Sequence, residues 1–166
     1  MTTTIPPTDK ALPRSLWALM MGNFVIGTGV MVVPGTLNDI SASLNVSIPQ
    51  AGQLITAAAI LMGLGAPAFA TLVAGWDRRR LLTLSLVWYA LLTGICALAP
   101  NYATLLPLRV LAVIAPAVFT PQAAASVGLL VSPAQRGRAI TFVFLGWSVA
   151  SVMGMPLSAW IGGELG

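Results

Sequence analysis

The chain has 166 residues, 57% of them hydrophobic and only 7% charged, with a formal net charge of +4. A soluble domain devotes about a quarter of its residues to charge, so this composition cannot clothe a water-facing surface and the chain reads as an integral membrane protein. Its eight Lys+Arg against four Asp+Glu form no basic face with interleaved aromatics, which excludes nucleic acid as a partner.

Residues 1–14 are polar, carry Pro6, Pro7 and Pro13, and read as a disordered tail ahead of a transmembrane bundle over 15–166. A helix that crosses about 30 Å of hydrocarbon needs roughly 20 mostly apolar residues. Five stretches meet that length: 15–37, 50–75, 81–99, 103–131 and 139–161. The first is too long for the apolar core of a signal peptide. Asn38-Asp39 and Pro49 bound the first outer turn, and Trp76 to Arg80 interrupt the second and third spans. Pro100-Asn101-Tyr102 makes a tight turn, and Ser132 to Arg138 separate the last two spans. Pro34, Pro67, Pro116, Pro121 and Pro156 lie inside spans, where neighbouring helices can satisfy the freed backbone groups. The expected fold class is therefore all-α, a bundle of five transmembrane helices.

Lys and Arg in short loops set the orientation. Lys10, Arg14, Arg78, Arg79, Arg80, Arg136 and Arg138 fall on alternate connections, whereas 38–49 and 100–102 carry none. This places the N-terminus in the cytoplasm and Gly166 outside.

Between helices in lipid, small residues that let backbones approach are the main packing device. Gly146, Ala150, Gly154 and Ser158 form one such stripe, Pro116, Thr120, Ala124 and Gly128 a second, and Ala66, Ala70 and Ala74 a third. Arg109 lies roughly 10 Å beyond Tyr102 along the fourth span at 1.5 Å per residue. A guanidinium at the centre of a bilayer costs about 2.5–3.5 kcal/mol, so it must face the bundle or a wet cavity or snorkel outward. It serves either as a coupling charge or as a structural donor to a neighbouring helix. Asn23 and Gln53 are candidates to line a cavity or to hydrogen-bond across helices. Cys96 reads as a small packing residue, and Trp17, Trp76, Tyr102 and Trp160 sit near span ends as interfacial anchors. Asp77 with Arg78, Arg79 and Arg80 is either a positive-inside anchor alone or a charged cytoplasmic latch. With no His, one Cys and no acid inside a span, the chain has no composition for a metal site, a bound cofactor or an enzyme.

Together these features resemble the N-terminal half of a major facilitator superfamily transporter, in the branch of drug/proton antiporters that includes sugar and arabinose efflux permeases. The stretch from Asn45 to Thr56, continuing to Gly65-Ala66-Pro67, is similar to the start of the family's second helix. The Arg-rich segment up to Leu82 resembles the gate motif between the second and third helices, and Leu105 to Arg109 resembles the motif whose Arg is implicated in proton coupling. Gly146 through Gly154, Pro156 and Ser158 to Gly163 resemble the antiporter motif of the fifth helix. Ala74 stands where the gate motif has Asp, Asp77 where it has Gly, Ser158 where the antiporter motif has Gly, and Val30 where some relatives carry an acid.

The resemblance implies a secondary transporter that exports small molecules such as sugars or drugs across a bacterial inner membrane by alternating access, with no covalent chemistry. The partners it implies are the lipid bilayer, a small-molecule substrate, protons as a coupling ion, and a missing C-terminal half or another membrane protein. Asp9, Asp39, Asp77 and Glu164 all lie outside the predicted spans, which leaves facilitated exchange, or an acid in the missing half, beside proton coupling. Family members have about twelve spans in two bundles, so five spans imply a fragment, a truncated product or a piece that assembles with others. A small membrane scaffold or regulatory subunit is the reading from a different class.

Overall fold

Lipid offers no hydrogen bonds, so a chain crossing it must satisfy its own backbone. In the computed structural model, which describes residues 13–165, it does so with helices. These are α1 (Arg14–Gly35), α2 (Leu37–Ser43), α3 (Ile48–Leu72), α4 (Arg78–Cys96), α5 (Tyr102–Ala112), α6 (Ile114–Leu130), α7 (Arg136–Val149) and α8 (Met155–Leu165). Five helical segments are long and apolar enough to span a membrane: α1, α3, α4, α5 with α6, and Pro133–Glu164. The all-α bundle expected from composition is what the described residues form. Most of the expected tail, residues 1–12, lies outside the described residues, and Arg14 already belongs to α1.

Helix ends follow side-chain chemistry. Ser47, Asp77 and Asn101 each stand in extended backbone and accept a hydrogen bond from the amide three residues on, at 3.3, 2.9 and 3.0 Å, which starts α3, α4 and α5. Three expected boundaries are corrected by this chemistry. Arg78, Arg79 and Arg80 are the first turn of α4 rather than a loop, because the Asp77 carboxylate caps them. The connection over 38–49, expected as a turn, holds α2, closed by Asn45 in the left-handed region (φ 52°) with the Val46 amide bonded to Ser41 O at 3.1 Å. Pro49 lies within the first turn of α3, where a missing N–H is harmless. The fifth span also runs longer than 139–161 at both ends, and carries Glu164 in its last turn.

Two spans are irregular inside. The fourth breaks at Val113 (φ −76°, ψ −2°), three residues before Pro116, whose ring cannot accept a straight helix through the Ala112 carbonyl. The fifth passes through a π-helical turn, Ala150–Gly154, directly ahead of Pro156. Its extra residue per turn accommodates a proline that frees the Val152 carbonyl.

Packing centres on α1. Along one side it meets α7, the π turn and α8, while α3 packs on α5 and α6, and α4 packs on both halves of the fourth span. The stripe Gly146, Ala150, Gly154 and Ser158 is buried throughout. A side chain at Gly146 would run into the Met20 carbonyl and the Phe24 amide, and one at Gly27 would meet Ala150 Cβ at 2.8 Å. Gly154 lies against Thr28, and Gly35 against the Met155 carbonyl and Ser158. The third stripe behaves differently: Ala66 is half-buried, and Ala70 and Ala74 are exposed, so that face does not pack within the described bundle. Large apolar side chains such as Leu64, Leu98 and Val152 point outward, as lipid-facing positions require.

Gly146→Leu is therefore expected to lower the thermal unfolding midpoint of the detergent-solubilised chain by the equivalent of about 1–3 kcal/mol or more. Gly94→Ala, where an added Cβ meets nothing within 4 Å, should leave it unchanged or raise it slightly.

Candidate functional site: buried polar groups around α1

Pro34 has no N–H, so the carbonyl of Val30 four residues earlier loses its helical partner. Arg109 on α5 supplies one. Its Nη2 donates to Gly29 O at 3.1 Å and reaches Val30 O at a long 3.5 Å. The residue is only 5% exposed, and its Nε has no hydrogen-bond partner. Tyr89 of α4 packs its ring on Gly29, donates its hydroxyl to Ile26 O at 3.4 Å, and faces the guanidinium. Trp88, one residue earlier, donates Nε1 to Leu111 O at 2.9 Å and so braces the fourth span beside its break. Cavities of about 270 and 150 Å³ flank Arg109. Thr93, Cys96 and Leu105 line the larger, and Ala58, Met62 and Val113 the smaller.

Asn23 is fully buried on α1. Its Nδ2 donates to Val143 O on α7 at 3.3 Å, and its Oδ1 accepts from Thr120 Oγ1 on α6 at 3.3 Å. Trp147 Nε1 donates to the same Thr120 oxygen at 3.4 Å. This relay, three side chains and the Val143 carbonyl, fastens α1 to α6 and α7.

Gly146, Gly154 and Ser158 form the tight face against α1, with Ser158 Oγ donating to Gly154 O at 2.6 Å, whereas Pro156 is exposed on the far side. Gln53 is also exposed, its Oε1 lying 3.3 Å from the Tyr102 hydroxyl, which donates to Gln50 O at 2.8 Å. Asp77 and the three arginines are exposed at the opposite end of the bundle, about 20 Å from Thr93 along α4. Arg78 and Arg79 line a groove of about 480 Å³ with Ser15, Leu19, Leu82 and Ser126.

The bundle thus brings Arg109 to α1 and joins Asn23 to the fifth span, but keeps the arginine turn and Gln53 apart from both. Sequence reasoning did not single out Tyr89 and Thr93 at i, i+4 on α4, or Trp147 in mid-span. Polar side chains inside an otherwise apolar helix were the available signal. No group of three or more His, Cys, Asp or Glu that could hold a metal occurs among the described residues.

A sequence profile of the Major Facilitator Superfamily matches residues 19–166. The chain is 34% identical over 157 residues to a chloramphenicol efflux pump of Mycobacterium tuberculosis, covering 95% of this chain and 38% of the relative. It is 32% identical over 151 residues to the inner membrane transport protein YdhP of Escherichia coli, covering 91% and 39%. It is also 32% identical over 155 residues to a chloramphenicol resistance protein of Streptomyces lividans, covering 91% and 40%. No solved structure matches.

If Arg109 compensates for Pro34, the two positions must be coupled. Arg109→Leu should destabilise the bundle by about 1–3 kcal/mol, because it leaves the Val30 carbonyl unpaired. Adding Pro34→Ala, which returns an amide to Val30 O, should recover part of that loss. A double-mutant cycle of unfolding midpoints showing purely additive effects would break the link.

Proposed function

The chain belongs to the Major Facilitator Superfamily, and we propose that it forms the N-terminal part of an efflux transporter for small amphipathic molecules of the phenicol type. It spans about two fifths of the length of the relatives it matches, 38–40%. The observation that carries the reading is a buried Arg109 held on α1 beside open cavities in a bundle built of membrane-spanning helices. An arginine with only a structural task has no need of cavities on either side, and an intramembrane charge defaults to function.

On this reading the protein lies in the bacterial inner membrane, with the arginine-bearing ends of α1, α4 and α7 in the cytoplasm. Substrate is passed by alternating access rather than by bond chemistry. Arg109 supplies the buried charge near the substrate path. The face of Gly146, Gly154, Pro156 and Ser158 keeps the fifth span sealed on α1 against leakage, Arg78, Arg79 and Arg80 latch the cytoplasmic side, and Asn23 holds the helices around the path in register. None of α1, α3, α4, α5 and α6 contains Asp or Glu, so protons, if they drive export, titrate on a carboxylate outside these helices. A scaffold that docks through its small-residue faces is less well supported, because the Gly146 to Ser158 stripe is already consumed by α1.

The test is a chimera in which this chain replaces the aligned segment of the Mycobacterium tuberculosis pump, assayed for radiolabelled chloramphenicol efflux. The chimera should export, and Arg109→Ala should reduce export at least about tenfold at equal membrane abundance, the effect of losing roughly 1.4 kcal/mol at a single step. A membrane-inserted chimera that exports equally well without Arg109 would overturn the role given to that residue.

A further inference from the structure

Toward the end of the bundle that carries the arginine turn, α1 and α4 part. Nearer the other end they touch, because the Tyr89 ring packs on Gly29 and its hydroxyl reaches Ile26 O. Toward Arg78, α1 presents the small residues Ser15 and Ala18 beside Leu19, and a groove of about 480 Å³ opens between α1, α4 and α6. Leu19, Leu82 and Leu86 wall it, and Phe119, buried against Gly22, closes its inner end. From Arg78 to Leu86 the groove follows α4 for about 12 Å at 1.5 Å per residue.

Arg78 and Arg79 both line this groove, and both are exposed. The acid next to them, Asp77, is turned to the backbone, its Oδ1 accepting from Arg80 N at 2.9 Å. Arg80 does not line the groove but borders a separate recess with Leu84. Arg136, at the same end, spends its Nη2 on Gly128 O at 3.2 Å. Two guanidiniums thus stand at the mouth of an apolar slot that leads into the membrane-spanning part of the bundle. A second apolar helix would cover the walls but leave both arginines without an anion, and a free anion would leave the walls bare. An amphiphile with an anionic head satisfies both. We propose that the groove between α1, α4 and α6 is a binding site for an anionic phospholipid of the phosphatidylglycerol type. Arg78 and Arg79 donate charge-assisted hydrogen bonds to its phosphate, and one acyl chain lies along Leu82 and Leu86 toward Phe119. Basic recesses between transmembrane helices suit such headgroups, whereas a zwitterionic lipid brings an ammonium group toward the same two arginines. The site belongs to this bundle itself and stands whether or not the chain exports anything.

The 166-residue chain, delipidated in a neutral detergent, is titrated with phosphatidylglycerol, phosphatidylcholine or inorganic phosphate. Its unfolding midpoint is followed, and retained lipid is counted by native mass spectrometry. Phosphatidylglycerol should give a saturable rise of about 3 °C or more and about one retained lipid per chain, with no saturable rise from the other two. Replacing both arginines, Arg78→Gln with Arg79→Gln, should weaken binding roughly tenfold or more. Arg80→Gln, which removes a charge from the same turn but outside the groove, should change it by no more than about twofold. Ala18→Phe keeps every charge and fills the slot from an exposed position, and should weaken binding roughly tenfold through lost acyl contact. Equal binding of the two lipids overturns the site. So does a loss in Arg80→Gln that matches the paired variant, or full binding to Ala18→Phe, since either leaves only diffuse surface charge. Binding that appears only once residues 1–12 are removed assigns the groove to the chain's own N-terminal segment and likewise overturns it. Efflux by the chimera is not read in this assay, so loss of lipid binding and loss of transport are separable results.

Discussion

Helix α1 can occupy the middle of this bundle only because its neighbour lacks side chains where the two backbones meet. At Gly146 the fifth span lies on the Met20 carbonyl and Phe24 amide, and at Gly154 it lies on Thr28. In lipid, burying apolar area gives helices little reason to associate, and close dispersion contact takes over that task. Such contact is short-ranged, so the positions must recur in step with the helix. Gly146, Ala150, Gly154 and Ser158 keep a four-residue step through the π turn, and all four stay buried. The irregular turn therefore does not interrupt the interface. It sets the register of α8 so that Ser158 still faces Gly35.

The polar groups inside the bundle act at points where this packing leaves something unpaired. Pro34 opens a carbonyl in α1 and Arg109 reaches it from α5. Pro116 forces a break at Val113, and the Trp88 indole bonds to Leu111 O beside it. Asn23 uses both ends of its amide, one on a carbonyl of α7 and the other on a hydroxyl of α6. These bonds are worth only a fraction of a kcal/mol to about 1 kcal/mol each in a membrane. Their larger consequence is positional, because each fixes the rotation of one helix relative to another.

How much of this was legible in the sequence depended on the range of the interaction. Span number and approximate limits follow from apolar length alone, and the Gly146 stripe follows from spacing on a single helix. The capping of α4 by Asp77 was also local, yet the run of arginines after it read as a loop because charge and helix start carry the same residues. The failure of the Ala66, Ala70 and Ala74 stripe to pack was not legible, since small residues say that a close approach is permitted but not that a partner arrives. The pairing of Arg109 with Gly29 and Val30 joins residues about 80 positions apart. Only the presence of a charge needing a partner, and of a proline leaving a carbonyl free, could be read in advance.

The same bonds limit how the bundle can move. The fifth span is held to α1 along nearly its whole length by backbone contact, and the fourth is held to it by Arg109 near the Gly35 end and by Asn23 and Thr120 deeper in. Packed helices of this kind have discrete arrangements rather than a continuous range. Sliding α1 past α7 by even one residue would place the Phe24 region against side chains instead of Gly146. A motion that preserves these contacts therefore moves the helices as one body. The buried guanidinium of Arg109 travels with that body.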